Sequence, residues 1–324
     1  MRLLVIGGTV FVGRATVEAA LTRGHEVTVF HRGQHGETAV PQVEHLHGDR
    51  RSDADLLAGR QWDAVVDTCG FSAADVEPIA EVLDGVDRYV FVSSVSVYTQ
   101  WPAEVVDEDS PVKAPDDEDA YGAGKVAAER ALEAVLGDRL IVTRPGLIVG
   151  PYENIGRLPF WLRYAARGGR MVAPGSPDES RQWIDARDHG EFTLDLLEND
   201  ATDTYNVISP PGAFTIGDVI DACVTVTGAG ATPQWTPPER IVAAGFTPWS
   251  ELPLWLWDAD EDMSATWQVD VSRALAAGLR SRPVVATVAD TWQWLRTEGD
   301  SAGGYRSEYA VPELDVEKER VALR

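Results

Sequence analysis

Short apolar runs alternate with longer amphipathic stretches along the first half of the chain. The pattern predicts strands near 2–6, 26–30, 63–67, 88–94 and 139–143, with helices over 14–23, 74–84 and 124–136 between them. Strand–helix alternation at this spacing implies an α/β fold with a parallel, doubly wound sheet. From Pro151 the alternation breaks: Gly, Pro and Trp become frequent and the elements shorten. The expected organisation is a main domain over 1–150, its sheet completed by about 183–208. A smaller lobe covers 151–182 and 209–299, and a tail covers 300–324, read as flexible or partner-docking. No internal repeat interrupts this order.

The first strand, Arg2-Leu-Leu-Val-Ile6, runs directly into Gly7-Gly8-Thr9-Val10-Phe11-Val12-Gly13 and then a helix. A glycine loop between a strand and a helix amino terminus lets backbone N–H groups and the helix dipole face a pyrophosphate. Gly7, Thr9, Val10, Phe11, Val12 and Gly13 are therefore candidate cofactor contacts. Val10 stands where a third glycine is often found.

Only three lysines occur, at 113, 125 and 318, yet Lys125 follows Tyr121 by four residues. On a helix that spacing puts both side chains on one face. A nearby ammonium favours phenolate, which suits the tyrosine to proton transfer. The strand Tyr89-Val-Phe-Val-Ser-Ser94 ends in hydroxyls, and the carboxyl end of a parallel strand borders the ligand crevice. Ser94 can hydrogen-bond a substrate oxygen or the tyrosine.

These motifs, in this order, resemble the extended branch of the short-chain dehydrogenase/reductase superfamily, with its epimerases, dehydratases and reductases. Further similarities are Arg144-Pro-Gly-Leu-Ile-Val-Gly-Pro151, Arg181-Gln-Trp-Ile-Asp-Ala-Arg-Asp188, Thr204-Tyr-Asn-Val-Ile208 and the Val269–Pro283 segment. The Gly-Gly-Thr-x-Phe-x-Gly-Arg variant also resembles an atypical subgroup that includes chloroplast RNA-binding relatives. The resemblance implies a Rossmann fold with a carboxy-terminal substrate lobe, and Ser94, Tyr121 and Lys125 as catalytic residues. It implies that Lys125 also binds the nicotinamide ribose, that Asp49, beside Arg50, receives the adenine amino group, and that the segment with Pro145 and Leu147 covers the nicotinamide. Thr68, Cys69 and Gly70, after the strand ending at Asp67, are expected beside the pyrophosphate and ribose. Dehydratases of the family carry Asp-Glu after the catalytic Ser/Thr; Val95 and Ser96 stand there instead. Ser96 also replaces the cysteine used for epimerisation next to a carbonyl. Plain oxidoreduction and 4-epimerisation through a transient ketone both survive, as does a non-catalytic nucleotide-sensing or RNA-binding relative.

An NAD site usually places a carboxylate at the end of the second strand for the adenosine ribose. Here the strand ends Phe30-His31-Arg32-Gly33. His31 and Arg32, helped by Arg14, favour a 2′-phosphate, so NADP(H) is the expected cofactor with NAD(H) as the alternative. Phe71, Ser96, Arg181 and Trp183 are candidate substrate contacts, and Arg157, Arg163 and Arg181 are candidates to neutralise a substrate phosphate. The Leu252–Trp257 stripe is read first as core.

A net charge of −24 repels phosphate backbones and argues against nucleic acid as partner. The two cysteines make neither a disulfide framework nor a metal site, and no histidine spacing suggests a metal. No apolar run reaches membrane-spanning length, and a strand beginning at residue 2 leaves no room for a signal peptide. The expectation is a cytoplasmic enzyme acting on a small-molecule substrate, with a homodimer left open.

Overall fold

The computed structural model describes residues 1–34, 39–299 and 313–324. Seven parallel strands form the central sheet: β1 (Arg2–Ile6), β2 (Glu26–His31), β3 (Glu44–His47), β4 (Ala64–Asp67), β5 (Arg88–Val92), β6 (Leu140–Pro145) and β7 (Thr204–Val207). Their order is β7-β6-β5-β4-β1-β2-β3, so the chain winds outward from β1 in both directions. Each inner strand is buried on both faces, which is why it reads as an unbroken apolar run. In β1, Leu3 and Val5 enter one layer while Leu4 and Ile6 enter the other.

Helices α1 (Phe11–Thr22), α2 (Ala73–Val82) and α3 (Ala120–Leu136) cover the sheet. α1 lies beside α5 (Ala186–Glu198) on one face, and α2 beside α3 on the other. Arg23 fastens α1 to α5 through Glu191, Asp195 and Glu198. The β3 edge strand lies outside the elements predicted from the pattern. It is four residues long and partly exposed, with too few apolar positions to register.

The smaller lobe has its own core. α4 (Arg157–Ala166) and α6 (Ile216–Thr227) pack with Trp161, Trp255, Leu252 and Leu254, so the tryptophan-rich stripe is mainly core, with Trp257 partly buried. Residues 300–312 of the tail lie outside the described residues. Beyond them, the helix Val316–Ala322 docks on this lobe. Its buried Glu319 receives Tyr164 Oη and Arg167, and Lys318 pairs with Glu251 at 2.6 Å. Among the described residues no helix is long and apolar enough to cross a membrane, and no His/Cys/Asp/Glu cluster could hold a metal.

Candidate active site

A cleft of about 710 Å³ opens at the carboxyl ends of β1, β2 and β4. Its wall includes Gly7, Thr9, Val10, Phe11, Val12 and Gly13. Gly7 has φ +89°, and an added Cβ there would meet Cys69 Sγ at 2.8 Å. At Gly13 a Cβ would meet the Gly7 carbonyl at 2.7 Å, so the loop closes this tightly only without side chains. No side chain caps α1, and its first turn carries no acid. Its orphan amides and dipole are left for an anion, which fits a dinucleotide pyrophosphate. Thr68, anchored on the Ile6 carbonyl at 2.9 Å, and Cys69 press against the loop from β4; burial pushes the Cys69 thiol up to about 11, so it is inert.

At the other end, Arg32 is exposed on the cleft wall and has no hydrogen-bond or ion-pair partner among the described residues. Asp49 also lies on the wall. Three neighbours are engaged by the protein itself, although His31 and Arg50 also line the cleft. The His31 ring is buried, accepting from Gly33 N–H at Nδ1 and meeting His45 at 2.8 Å, so its nitrogens are engaged inside the protein. Arg14 is bound to Glu18 and stacked on the Tyr152 ring. Arg50 reaches under the cleft to the fully buried Asp67, with bonds of 2.9 and 2.5 Å. Its charge is neutralised there rather than offered to a ligand.

Asp119 caps α3 by accepting from Tyr121 N and Gly122 N, and Lys113 holds it at 2.7 Å. Tyr121 and Lys125 follow one turn apart. β5 ends at Val92, two residues earlier than predicted, because Ser94 Oγ accepts from Ser96 N–H and starts a short turn. Beneath that turn Glu129 receives Ser93 and Arg144, while Tyr98 donates to Asn206 at 2.7 Å. This buried network, invisible in the local pattern, fixes the serine turn against α3.

Tyr121 is 45% exposed; its partial burial raises the phenol above its ordinary value, while the nearby Ser94 hydroxyl and the charge of Arg157 oppose the shift. Lys125 is not among the groups acting on it. That ammonium donates to the Gly70 and Val92 carbonyls, both at 2.7 Å, between the Phe71 and Phe91 rings. Burial pushes Lys125 down to about 8. The charge acting on the phenol is that of Arg157, at the start of α4.

Phe71 is 54% exposed on the cleft wall with its ring 6.5 Å from that of Tyr121. Ser96 accepts Lys113 on its carbonyl and is half-buried. Gly70, Lys125, Pro145 and Leu147 lie off the lining of this cleft; Pro145 pairs with Val207, and Leu147 packs on the lobe core. Arg181 is not available to a substrate: its fully buried guanidinium bonds Leu254 O, Ser180 O and Glu179. Trp183 lines a separate hollow of about 310 Å³ with Asp188 and Arg282.

The model of the NAD dependent epimerase/dehydratase family matches residues 3–208. The chain belongs to the NAD dependent epimerase/dehydratase family. Among curated proteins, it is 28% identical over 247 residues to the chloroplast stem-loop binding protein of 41 kDa b of Arabidopsis thaliana, covering 70% of this chain and 63% of that one. It is 30% identical over 213 residues to the 2′-dehydrokanamycin reductase of Streptomyces kanamyceticus, covering 62% of this chain and 59% of that one. The matches thus span about three fifths of these relatives. The fold is shared by the Bordetella bronchiseptica enzyme WbmH in complex with NAD+, at TM-score 0.72 and 19% identity over 92% of this chain and 99% of that one. A UDP-glucose 4-epimerase shares it at TM-score 0.71 and 18% identity, over 95% of this chain and all of the other.

Proposed function

We propose that the protein is an NAD(P)-dependent oxidoreductase that interconverts a carbonyl and an alcohol on a small metabolite, sugar-nucleotide-like or otherwise, with NADP(H) favoured. The observation that carries this reading is the position of Tyr121 on the first turn of α3, its ring 6.5 Å from that of Phe71 on the wall of the glycine-loop cleft, with the serine turn of Ser94 packed against α3. Bound in that cleft, the nicotinamide would supply or take the hydride. Gly7 to Gly13 would hold the pyrophosphate, and Arg32 the 2′-phosphate. Tyr121 would deliver the proton to the substrate oxygen, and Ser94 would orient that oxygen. Lys125 would bind the ribose, sharing its bond to the Gly70 carbonyl. Similarity to the 2′-dehydrokanamycin reductase supports reduction.

A 4-epimerase that retains NAD is the second reading, and NAD(H) surviving purification would favour it. The resemblance to a stem-loop binding protein raises an RNA-binding reading, which a net charge of −24 opposes. The test is NADPH consumption with a panel of carbonyl compounds, by wild type and Tyr121→Phe. The variant is expected to bind cofactor normally and to lose about 100-fold or more in rate. A variant with the wild-type rate refutes the assignment.

A further inference from the structure

One residue from the second half of the chain reaches the glycine-loop cleft. Among the described residues, the cleft wall is built from positions 6 to 75 with a single exception, Asn154. It lies between β6 and α4, in a segment pinned on either side of it. Tyr152 has φ +67°, a region that residues with a side chain seldom adopt. The Arg14 guanidinium sits 3.4 Å from the centre of its ring, and the Trp294 ring centre is 5.3 Å away. Glu153 turns inward, 1% exposed, and accepts from the Arg157 and Leu158 amides at 2.6 and 3.2 Å. Asn154 is half-buried, and among the described residues its carboxamide makes no hydrogen bond. Arg14 belongs to the first turn of α1, so the segment is tied to the part of the cleft that fits a pyrophosphate. The cations nearby are engaged: Arg14 with Glu18, Arg50 with Asp67, and Lys125 with two carbonyls. The glycine loop meets a pyrophosphate with backbone amides from its own side, and donors for the remaining oxygens must come from elsewhere on the wall. An unpaired carboxamide supplies two N–H groups.

Resting on the cofactor assignment in the proposed function, we propose that Asn154 is a cofactor-binding residue whose carboxamide donates to a pyrophosphate oxygen of the dinucleotide. The contact is neutral on the protein side, as is the rest of the cradle, and a hydrogen bond to a charged acceptor is stronger than one between neutral groups. The Arg14–Tyr152 stack positions the segment, and Glu153 joins it to the first turn of α4. A dinucleotide held by Asn154 would thereby hold the start of the smaller lobe's first helix as well.

Calorimetric titration of wild type, Asn154→Ala and Asn154→Asp tests the contact without turnover. Three ligands divide the dinucleotide: NADPH, 2′-phospho-ADP-ribose, which keeps the pyrophosphate but lacks nicotinamide, and adenosine 2′-monophosphate, which has no pyrophosphate. Asn154→Ala is expected to weaken the first two alike, by about 10-fold, and to leave the third unchanged. Asn154→Asp should lose more, and added salt should recover part of the extra loss by screening carboxylate from phosphate. Without ligand, Asn154→Ala should melt with the wild type, because the carboxamide holds nothing in the protein. If wild type takes NADH instead, the same comparison runs with NADH, ADP-ribose and adenosine. Equal losses on all three ligands, or a lowered melting temperature of unliganded Asn154→Ala, make the residue structural and overturn the proposal. A loss confined to the full dinucleotide moves the contact to the nicotinamide half and overturns the pyrophosphate assignment. Equal binding by wild type and Asn154→Ala overturns the proposal while the cofactor reading stands. Wild type that binds neither NADPH nor NADH overturns the cofactor reading itself, and the contact with it.

Discussion

Replacing Arg50 by methionine should destabilise the dinucleotide-binding half sharply, and in a pH-dependent way. Asp67 is fully buried and accepts four bonds: two from Arg50, one from Cys69 N–H at 3.1 Å and one from Tyr89 Oη at 2.8 Å. Burial alone raises that carboxyl, but the Arg50 charge and the hydrogen bonds outweigh it, and the net is a value below the ordinary carboxylate range. Methionine roughly replaces the stem and removes the charge. An uncompensated buried carboxylate costs about 3–5 kcal/mol at neutral pH. In wild type, a depressed folded value means that the stability from Asp67 is present above its unfolded value and lost as pH falls through the folded one. In the variant only the Cys69 N–H and Tyr89 hydrogen bonds still oppose burial, the folded value rises, and stability is lost as pH rises through it. The deficit between the two proteins should therefore be largest near pH 7–8 and shrink toward about pH 4.5. Urea unfolding across that range measures it. Asp67→Asn on top of Arg50→Met should recover part of the loss, because it removes the stranded charge. A deficit below about 1 kcal/mol at neutral pH, or one that does not change with pH, refutes the reasoning.

Lys125→Met should weaken both cofactor binding and turnover, since the ammonium bridges Gly70 and Val92 beside the cleft; an unchanged cofactor Kd removes its ribose role. Wild type should bind NADPH more tightly than NADH, by roughly 10- to 150-fold for a contact of about 1.5–3 kcal/mol, and Arg32→Ala should erase most of the difference. Calorimetric titration checks this, and equal wild-type affinities would refute it. Burial raises Glu153 to about 7, so its protonated form favours folding: that stability is present below the unfolded value and is lost as pH rises toward about 7. Glu153→Gln should flatten the stability profile between about pH 5 and 8, by on the order of 3 kcal/mol across the range.

The parts of this site that could be read from sequence are those set by local spacing. A glycine loop after a strand, a tyrosine and lysine one helical turn apart, and a serine at a strand end each fix their geometry within a few residues. Tyr121 reached its place even though α3 begins four residues earlier than its alanine-rich stretch suggests, because Asp119 supplies the cap. What the sequence hid depends on partners far along the chain. His31 looks like a ligand for a phosphate until β3 brings His45 against it. Arg50 and Arg181 look like free cations until Asp67 and the Leu254 carbonyl enclose them. Arg157 is one arginine among many until Glu153 and the Trp249 ring flank it. Net charge and periodicity carry no trace of such pairings.

The position of β7 also shapes how the molecule can assemble. The strand lies next to β6, yet the chain between Pro145 and Thr204 first builds α4 and α5. A polypeptide emerging amino terminus first therefore holds six strands with an open β6 edge, and α1 has no α5 to cover Val17 and Ala20. Closing so long a loop adds only slowly to the entropic cost, but the contact cannot form until late. An early chain thus carries both an unpaired edge and a bare apolar layer, the combination that favours association between copies. Although the nucleotide loop lies within the first 13 residues, the half that carries it reaches its finished packing only when the other half has been made.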